Sequence, residues 1–243
     1  MKTIGIIPAR YESTRFPGKP LVLIGGKPMI QRVYEAAITS QLDEVIVATD
    51  DERIEKCVLH FGGKVVLTSP SHPSGTDRCG EAARKLNLAE DVIIVNIQGD
   101  EPFITHHEIN TLISQFINDR INIATLISRI RDHSEIDNPN KVKVVFDKNL
   151  KAIYFSRFAI PFVRNQKTAP PPYFKHIGIY AYRYKTLKEL ILLEESPLEK
   201  SEKLEQLRWI ENDYEIYLSE SNYEGIGIDT PEDLIQLKEK MNF

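Results

Sequence analysis

The stretch KTIGIIPARYESTRFPGKPLV, Lys2 to Val22, decides how the rest of the chain is read. Its opening, KTIGIIP, is a mainly apolar run closed by proline, and it reads as a buried strand. A loop punctuated by Gly and Pro comes next and carries Arg10, Arg15 and Lys19. Such a cluster of cations behind a buried strand is a positive patch suited to an anion. In α/β folds, a loop of backbone donors plus Arg and Lys at this position is how phosphates are held. Neither common nucleotide fingerprint is intact. No G-x-G-x-x-G occurs, and PGKP and GGKP lack the Ser or Thr that follows Lys in a Walker A loop.

Outward from this stretch, helix and strand patterns alternate. PMIQRVYEAAITS reads as a helix with Pro28 at its start. EVIVATD reads as a strand, and DERIEKCVLHFGG sets Ile54, Cys57, Val58 and Phe61 at helical spacing before stopping on Gly62 and Gly63. KVVLT and DVIIVNIQGD are further strands, whose near-continuous apolar runs suit parallel strands covered on both faces. The expected fold class is α/β, three layers around a mainly parallel, mixed sheet, with a ligand at the carboxyl ends of the strands. From Asn122 the pattern turns strand-rich in INIATLISRI, KVKVVFD, LKAIYFSR and HIGIYAYR. TAPPPYF lies between the last two, so residues 166–174 are expected to form a loop or arm. GIGIDTPEDLIQLKEKM then reads as a strand entering a helix, with Thr230, Pro231 and Asp233 at a capping-box-like start. A single domain over residues 1–243, with a β-rich insertion at about 124–184, is the expected organisation.

A chain of 243 residues buries one sizeable core, or one core with a smaller lobe. A hydrophobic fraction of 42% and a charged fraction of 27% are ordinary for a soluble globular protein. The net charge of −4 argues against a nucleic-acid partner, so the positive patch serves a small ligand. No apolar run is long enough for a membrane span, and IGII is too short for a signal-peptide core. Cys57 and Cys79 lack metal-ligand spacing and fit free thiols in a reducing cytoplasm. The expectation is a cytoplasmic protein without a nucleic-acid or membrane partner.

Residues suited to chemistry gather at strand ends. In NIQGDEP, Asp100 follows an apolar strand and Gly99, from where a carboxylate reaches the crevice. Beside a triphosphate its natural task is to hold Mg²⁺, which takes carboxylate and phosphate oxygens. Taken singly, Asp100 and Glu101 read first as ordinary turn and cap residues. Asp229 in IGIDTPED ends another strand, and taken singly it is a turn acid beside Thr230. Two carboxylates at two strand ends, facing one cationic loop, are harder to explain as turn residues. In SHPSGTDR, Ser74, Gly75 and Thr76 suit either a nucleobase or sugar, or the start of a helix at Thr76.

IPARYESTRFPGKPLV, SGTDR, VNIQGDEP, NPNKVKVV, YFSR, HIGIYAYR, LEQLR and GIDTPEDL, in that order, resemble the motif series of the 3-deoxy-manno-octulosonate (Kdo) cytidylyltransferases, also called CMP-Kdo synthetases. The resemblance runs from Ile4 to about Leu234. It implies a nucleotidyltransferase fold with the β-rich insertion on the sugar side. It also implies transfer of CMP from CTP to the anomeric hydroxyl of Kdo, with release of pyrophosphate, to activate Kdo for lipopolysaccharide biosynthesis. Positions matching Arg10 and Lys19 hold the CTP phosphates in that family, and Arg15 lies in the same motif. Ala9, Ser74 and Gly75, with Arg78 and Gln98 beside them, are the implied nucleotide positions. Those matching Asp100 and Asp229 bind Mg²⁺, and Gln98, Arg157, His176, Glu205 and Gln206 are the implied sugar positions. A homodimer is implied too, with the insertion as its contact.

The residue chemistry agrees. Kdo carries a carboxylate for which Arg157 and His176 supply donors, while Glu205 and Gln206 bond hydroxyls. Each has a plainer reading: a structural histidine, a strand-end cation, and a solvated face of KLEQLRWIEND with Leu204, Leu207 and Ile210 as the buried stripe. Two departures from the family pattern stand out. Asp77 occupies a position where Glu is also familiar, and the segment between Pro161 and His176 is short. The alternatives are a CMP-activating enzyme for a related sugar acid (8-amino-Kdo or sialic acid), a metal-dependent glycosyltransferase and a non-catalytic CTP-binding module. The first, as a sialic acid enzyme, calls for a GGSKG-like stretch in place of YESTRFPGK, and the second for D-x-D where this chain has GDE.

Overall fold

The computed structural model describes residues 1–12, 16–165, 171–223, 228 and 233–234. β1 (Thr3–Ala9) sits deep in the sheet. Its Ile4 and Ile6 join one hydrophobic cluster while Ile7 and Ala9 join another, as the two-residue period of a strand covered on both faces requires. In chain order the next elements are β2 (Leu23–Ile24), β3 (Lys27–Pro28), α1 (Met29–Ile38), β4 (Glu44–Thr49), α2 (Glu52–His60), β5 (Val65–Leu67), α3 (Gly75–Lys85), β6 (Ile93–Asn96), α4 (His106–Gln115) and β7 (Ile123–Arg129). The remainder comprises β8 (Lys143–Phe146), β9 (Ala152–Ser156), β10 (Phe174–Arg183), α5 (Tyr184–Leu190), α6 (Pro197–Glu202), α7 (Gln206–Glu211) and β11 (Tyr217–Glu220).

The main sheet runs β11-β7-β10-β6-β1-β4-β5, with β8 on β10 and β9 on β8. β1 is parallel to β4 and β6, β4 to β5, and β7 to β11. β10 runs antiparallel to β6, β7 and β8. One cluster gathers Ile30 and Val33 of α1, Ile54 and Val58 of α2, and Ile109 and Leu112 of α4 on one face. The other gathers Cys79 and Ala82 of α3, Leu187 of α5, and Leu207 and Trp209 of α7. The result is the expected three-layer α/β fold with a mixed sheet.

Helix starts follow their local sequence. Asp51 caps α2 by accepting from the Arg53 N–H, and Ser74 caps α3 by accepting from the Asp77 N–H. α3 therefore begins one residue before Thr76. Within residues 124–184, β7 and β10 are strands of the central sheet, and β8 with β9 extends from it. Phe158 and Phe162, just beyond β9, are 83% and 86% exposed. Residues 166–170 of the expected arm lie outside the described residues, residues 171–173 have no regular structure, and Phe174 already belongs to β10. Of the expected last strand and helix, Ile228, Asp233 and Leu234 are described, the last two as helix.

Candidate active site

A cleft of about 220 Å³ opens where β1 and β6 end and α3 begins. Its walls include Ala9, Arg10, Lys19, Ser74, Gly75, Arg78, Gln98 and Asp100, so eight residues singled out from the sequence converge on one space. Close approaches between main chains make this convergence. A Cβ on Gly99 would lie 3.0 Å from the Pro8 carbonyl oxygen, and one on Gly75 would lie 3.2 Å from the Pro8 ring. The glycines thus let the β6 loop and the α3 N-terminus press against the end of β1.

The charged groups divide by commitment. Arg10 is exposed and has no ion-pair or hydrogen-bond partner among the described residues. Lys19 Nζ donates to Asp100 Oδ2 at 2.7 Å, with the lysine side chain 14% exposed and the aspartate 33%. Glu101, next in sequence, instead accepts from the Tyr223 hydroxyl at 2.8 Å. The Ile228 N–H donates to the Asp100 carbonyl at 3.2 Å, tying the approach to residue 229 to the β6 loop. Arg15 and Asp229 themselves lie outside the described residues. Arg78 is buried, donating to Thr68 Oγ1 at 2.6 Å and Asp50 Oδ2 at 2.9 Å. Removing one partner of so buried a pair costs roughly 3–5 kcal/mol, so Arg78 holds the cleft wall together. Gln98 donates from Nε2 to Asn96 Oδ1 at 3.0 Å.

His72 also lines the cleft, although the sequence reading passed over it. Its Nε2 bonds Glu81 Oε2, which also accepts from the Ser69 N–H at 2.8 Å. Burial opposes the charge on Glu81, but the bonds from Ser69, Lys85 and His72 outweigh it and hold the carboxyl at about 2. The signal available was the His in SHPSGTDR. Its partner nine residues along, on a helix yet to start, is invisible in a linear pattern.

The expected sugar residues gather around α7 beside the cleft. Glu205 precedes this helix and reaches back to α3, accepting from Ser74 Oγ at 2.8 Å and Thr76 Oγ1 at 2.6 Å. Arg208 Nη2 donates to it at 3.1 Å. Burial pushes the Glu205 carboxyl above its usual range, against the opposing pull of these bonds. Ser74 has one hydroxyl proton and a second acceptor, Asp77 Oδ2 at 2.6 Å, so it serves one carboxylate at a time.

Gln206 is 5% exposed, and its buried Nε2 has no hydrogen-bond partner among the described residues. The KLEQLRWIEND segment is thus no solvated face: besides Leu204 and Leu207 it buries Gln206, Arg208 and Trp209, and Ile210 is only half-buried. His176, partly exposed, packs between Phe155 and Tyr180, with Nε2 3.1 Å from Thr125 Oγ1. Desolvation lowers its pKa to about 3, so the ring is neutral at working pH.

Arg157 does not line the cleft. Its guanidinium donates to the carbonyls of Glu202 at 2.7 Å, Pro139 at 2.9 Å and Lys203 at 3.4 Å. It pins the NPNK loop to the approach to α7.

The family model described as cytidylyltransferase matches residues 4–220. A 3-deoxy-manno-octulosonate cytidylyltransferase from Parabacteroides distasonis is 54% identical, over 96% of each chain. One from Phocaeicola vulgatus is 55% identical, over 96% of this chain and 95% of that one. The solved structure of a CMP:2-keto-3-deoxy-manno-octonic acid synthetase complexed with CTP superposes with a TM-score of 0.92 at 44% identity, covering 100% of this chain and 99% of the other. A 4-diphosphocytidyl-2C-methyl-D-erythritol synthase from Anaerococcus prevotii shares the fold alone, with a TM-score of 0.65 at 15% identity, covering 100% of this chain and 99% of that one. With curated relatives 54% and 55% identical over 96% of its length, the chain belongs to the 3-deoxy-manno-octulosonate cytidylyltransferase family.

Proposed function

We infer that this chain activates Kdo by transferring CMP from CTP to its anomeric hydroxyl. That oxygen attacks the α-phosphorus, the bond to the β-phosphate bridging oxygen breaks, pyrophosphate leaves, and the hydroxyl proton passes to solvent. The observation that carries this reading is the cleft at the ends of β1 and β6, lined by Arg10, which has no partner among the described residues, and by the Lys19–Asp100 pair.

Transfer of this kind needs positioning and charge stabilisation more than covalent help. Arg10 and Lys19, with Arg15 in the same loop, offset charge on the triphosphate and the departing pyrophosphate. Before substrate binds, Lys19 keeps the Asp100 carboxylate paired at 2.7 Å. The donor set suits Mg²⁺, since a partly exposed carboxylate on a phosphate-sized cleft supplies the hard oxygen that the ion shares with phosphates. Asp100 and Asp229 would hold it, and the ion would supply Lewis-acid stabilisation of phosphate charge. The main-chain bond from Ile228 to Asp100 supports pairing those two carboxylates.

On the sugar side, Gln206 Nε2 is a buried donor with no acceptor among the described residues, which a Kdo hydroxyl or carboxylate would provide. His176 would bond the sugar as a neutral ring. Glu205 and Arg157 support this side through the groups they already hold. The exposed Phe158 and Phe162 fit the contact of a homodimer.

Pyrophosphate release, measured with each nucleoside triphosphate against Kdo, 8-amino-Kdo and sialic acid, tests the reading. CTP with Kdo should dominate. Equal turnover with UTP or ATP would overturn the nucleotide assignment, and preference for another sugar acid would move the chain to that substrate.

A further inference from the structure

The phosphate loop leaves β1 at Arg10 and ends at Lys19, and the residues just inside these cations, Tyr11 and Gly18, meet. The Gly18 N–H donates to the Tyr11 carbonyl at 2.9 Å, closing the root of the loop. Gly18 has φ +72°, and a Cβ there would stand 3.1 Å from two carbons of the Tyr11 ring. Only glycine brings the main chain against that ring without strain.

The Tyr11 ring is held from outside the loop as well. Arg53 Cζ lies 3.2 Å from its centroid, inside the range of a cation–π contact. Arg53 is itself fixed, donating from Nε and Nη2 to both carboxylate oxygens of Asp51 at 2.9 and 2.6 Å. Asp51 caps α2, so the chain of contacts ends on a helix packed into the core through Ile54 and Val58. Neither Tyr11 nor Arg53 lines the cleft.

We propose that Arg53 and Tyr11 form a positioning clamp, which fastens both ends of the phosphate loop to α2 and sets Arg10 and Lys19 for a triphosphate before it arrives. The clamp rests on the reading of the cleft as a CTP site. Without it, the root of the loop populates open arrangements, and a nucleotide must close them at the expense of its own affinity. The sugar acid, whose residues lie around α7, does not feel this cost.

The test uses the full chain with Mg²⁺. CTP affinity is measured by calorimetry, KM for both substrates by pyrophosphate release, and Tm without ligand. Arg53→Met and Tyr11→Leu should each raise the CTP Kd and KM roughly three- to tenfold, with the KM for Kdo within about twofold of the parent. Tyr11→Phe keeps the ring and should match the parent. Unchanged CTP affinity in Arg53→Met and Tyr11→Leu would overturn the clamp. So would a joint rise in both KM values with a lowered Tm, since that pattern marks a purely structural contact. Tyr11→Phe as damaging as Tyr11→Leu would overturn the stacking account. If the parent chain itself bound no CTP, the reading of the cleft would fall first, an outcome distinct from all of these.

Discussion

The two sides of the site hold their polar groups differently. On the nucleotide side, Arg10 is exposed and unpartnered among the described residues, and the Lys19–Asp100 pair is partly open to water. On the proposed sugar side, Glu205 has three side-chain donors and the Arg157 guanidinium bonds three carbonyls, while Gln206 Nε2 is a buried donor without a partner among the described residues. A triphosphate carries several charges and can be received by cations that are still solvated, provided that their loop is held in place. A neutral hydroxyl gives little energy unless the group that meets it has already lost its water. On the proposed assignment, the nucleotide side meets its ligand with charge, and the sugar side with donors that have already lost their water.

The largest expected effect breaks the charged side. Asp100→Asn should lower magnesium-dependent turnover by roughly 10²–10⁴, because the lost interaction acts on transition-state charge. A pair this exposed adds at most about 1 kcal/mol to stability, so Tm should stay close to the parent value. An Asp100→Asn protein with ordinary turnover would reduce Asp100 to a tether for Lys19.

Next in size is a change that sharpens the contrast. Gln206→Met keeps the side-chain length and removes a buried donor that is unpaired among the described residues, whose burial costs about 1–3 kcal/mol. Thermal unfolding should show equal or raised stability, while KM for Kdo rises roughly tenfold and KM for CTP holds. A drop in stability with unaltered sugar binding would make Gln206 a packing residue.

The smallest effect concerns His176, whose pKa of about 3 lies below its ordinary 6.5. The unfolded chain then binds more protons between these values. The stability from the neutral ring is complete above the unfolded value and is lost as pH falls toward the folded one. Tm of His176→Gln should therefore fall less than that of the parent between neutral pH and about pH 5. The turnover profiles of parent and variant should share any inflection near neutrality. A parent profile with a neutral inflection that disappears in the variant would mean a solvated, titrating ring.

Legibility in the sequence follows how local each cause is. β1 and α2 were readable because apolar spacing and a closing Pro or Gly lie within each segment, and β4 because its apolar run is local. The gathering of cations and a carboxylate at one cleft was readable for the same reason, since Arg10 and Lys19 sit on one loop and Gly99 with Asp100 directly follows an apolar strand. The place of β10 between β6 and β7 was not, because strand order depends on pairings among distant segments. The contacts of Glu205 were unreadable for that reason also: its partners Ser74 and Thr76 lie 131 and 129 residues earlier. Burial of Gln206 beside Trp209 likewise depends on which elements enclose α7, which a helical period does not reveal.

The contact of Glu205 with Ser74 and Thr76 bears on redesign of this enzyme. If the proposed sugar side holds, replacing residues around α7 is the direct route to a chain that accepts a different sugar acid. At Glu205 such a replacement also releases two hydroxyls at the start of α3, the helix whose first residues wall the nucleotide cleft. Substitutions there and at Ser74 share partners, so their effects will not add, and libraries that vary one region while freezing the other will miss combinations that work. The two regions are best varied together.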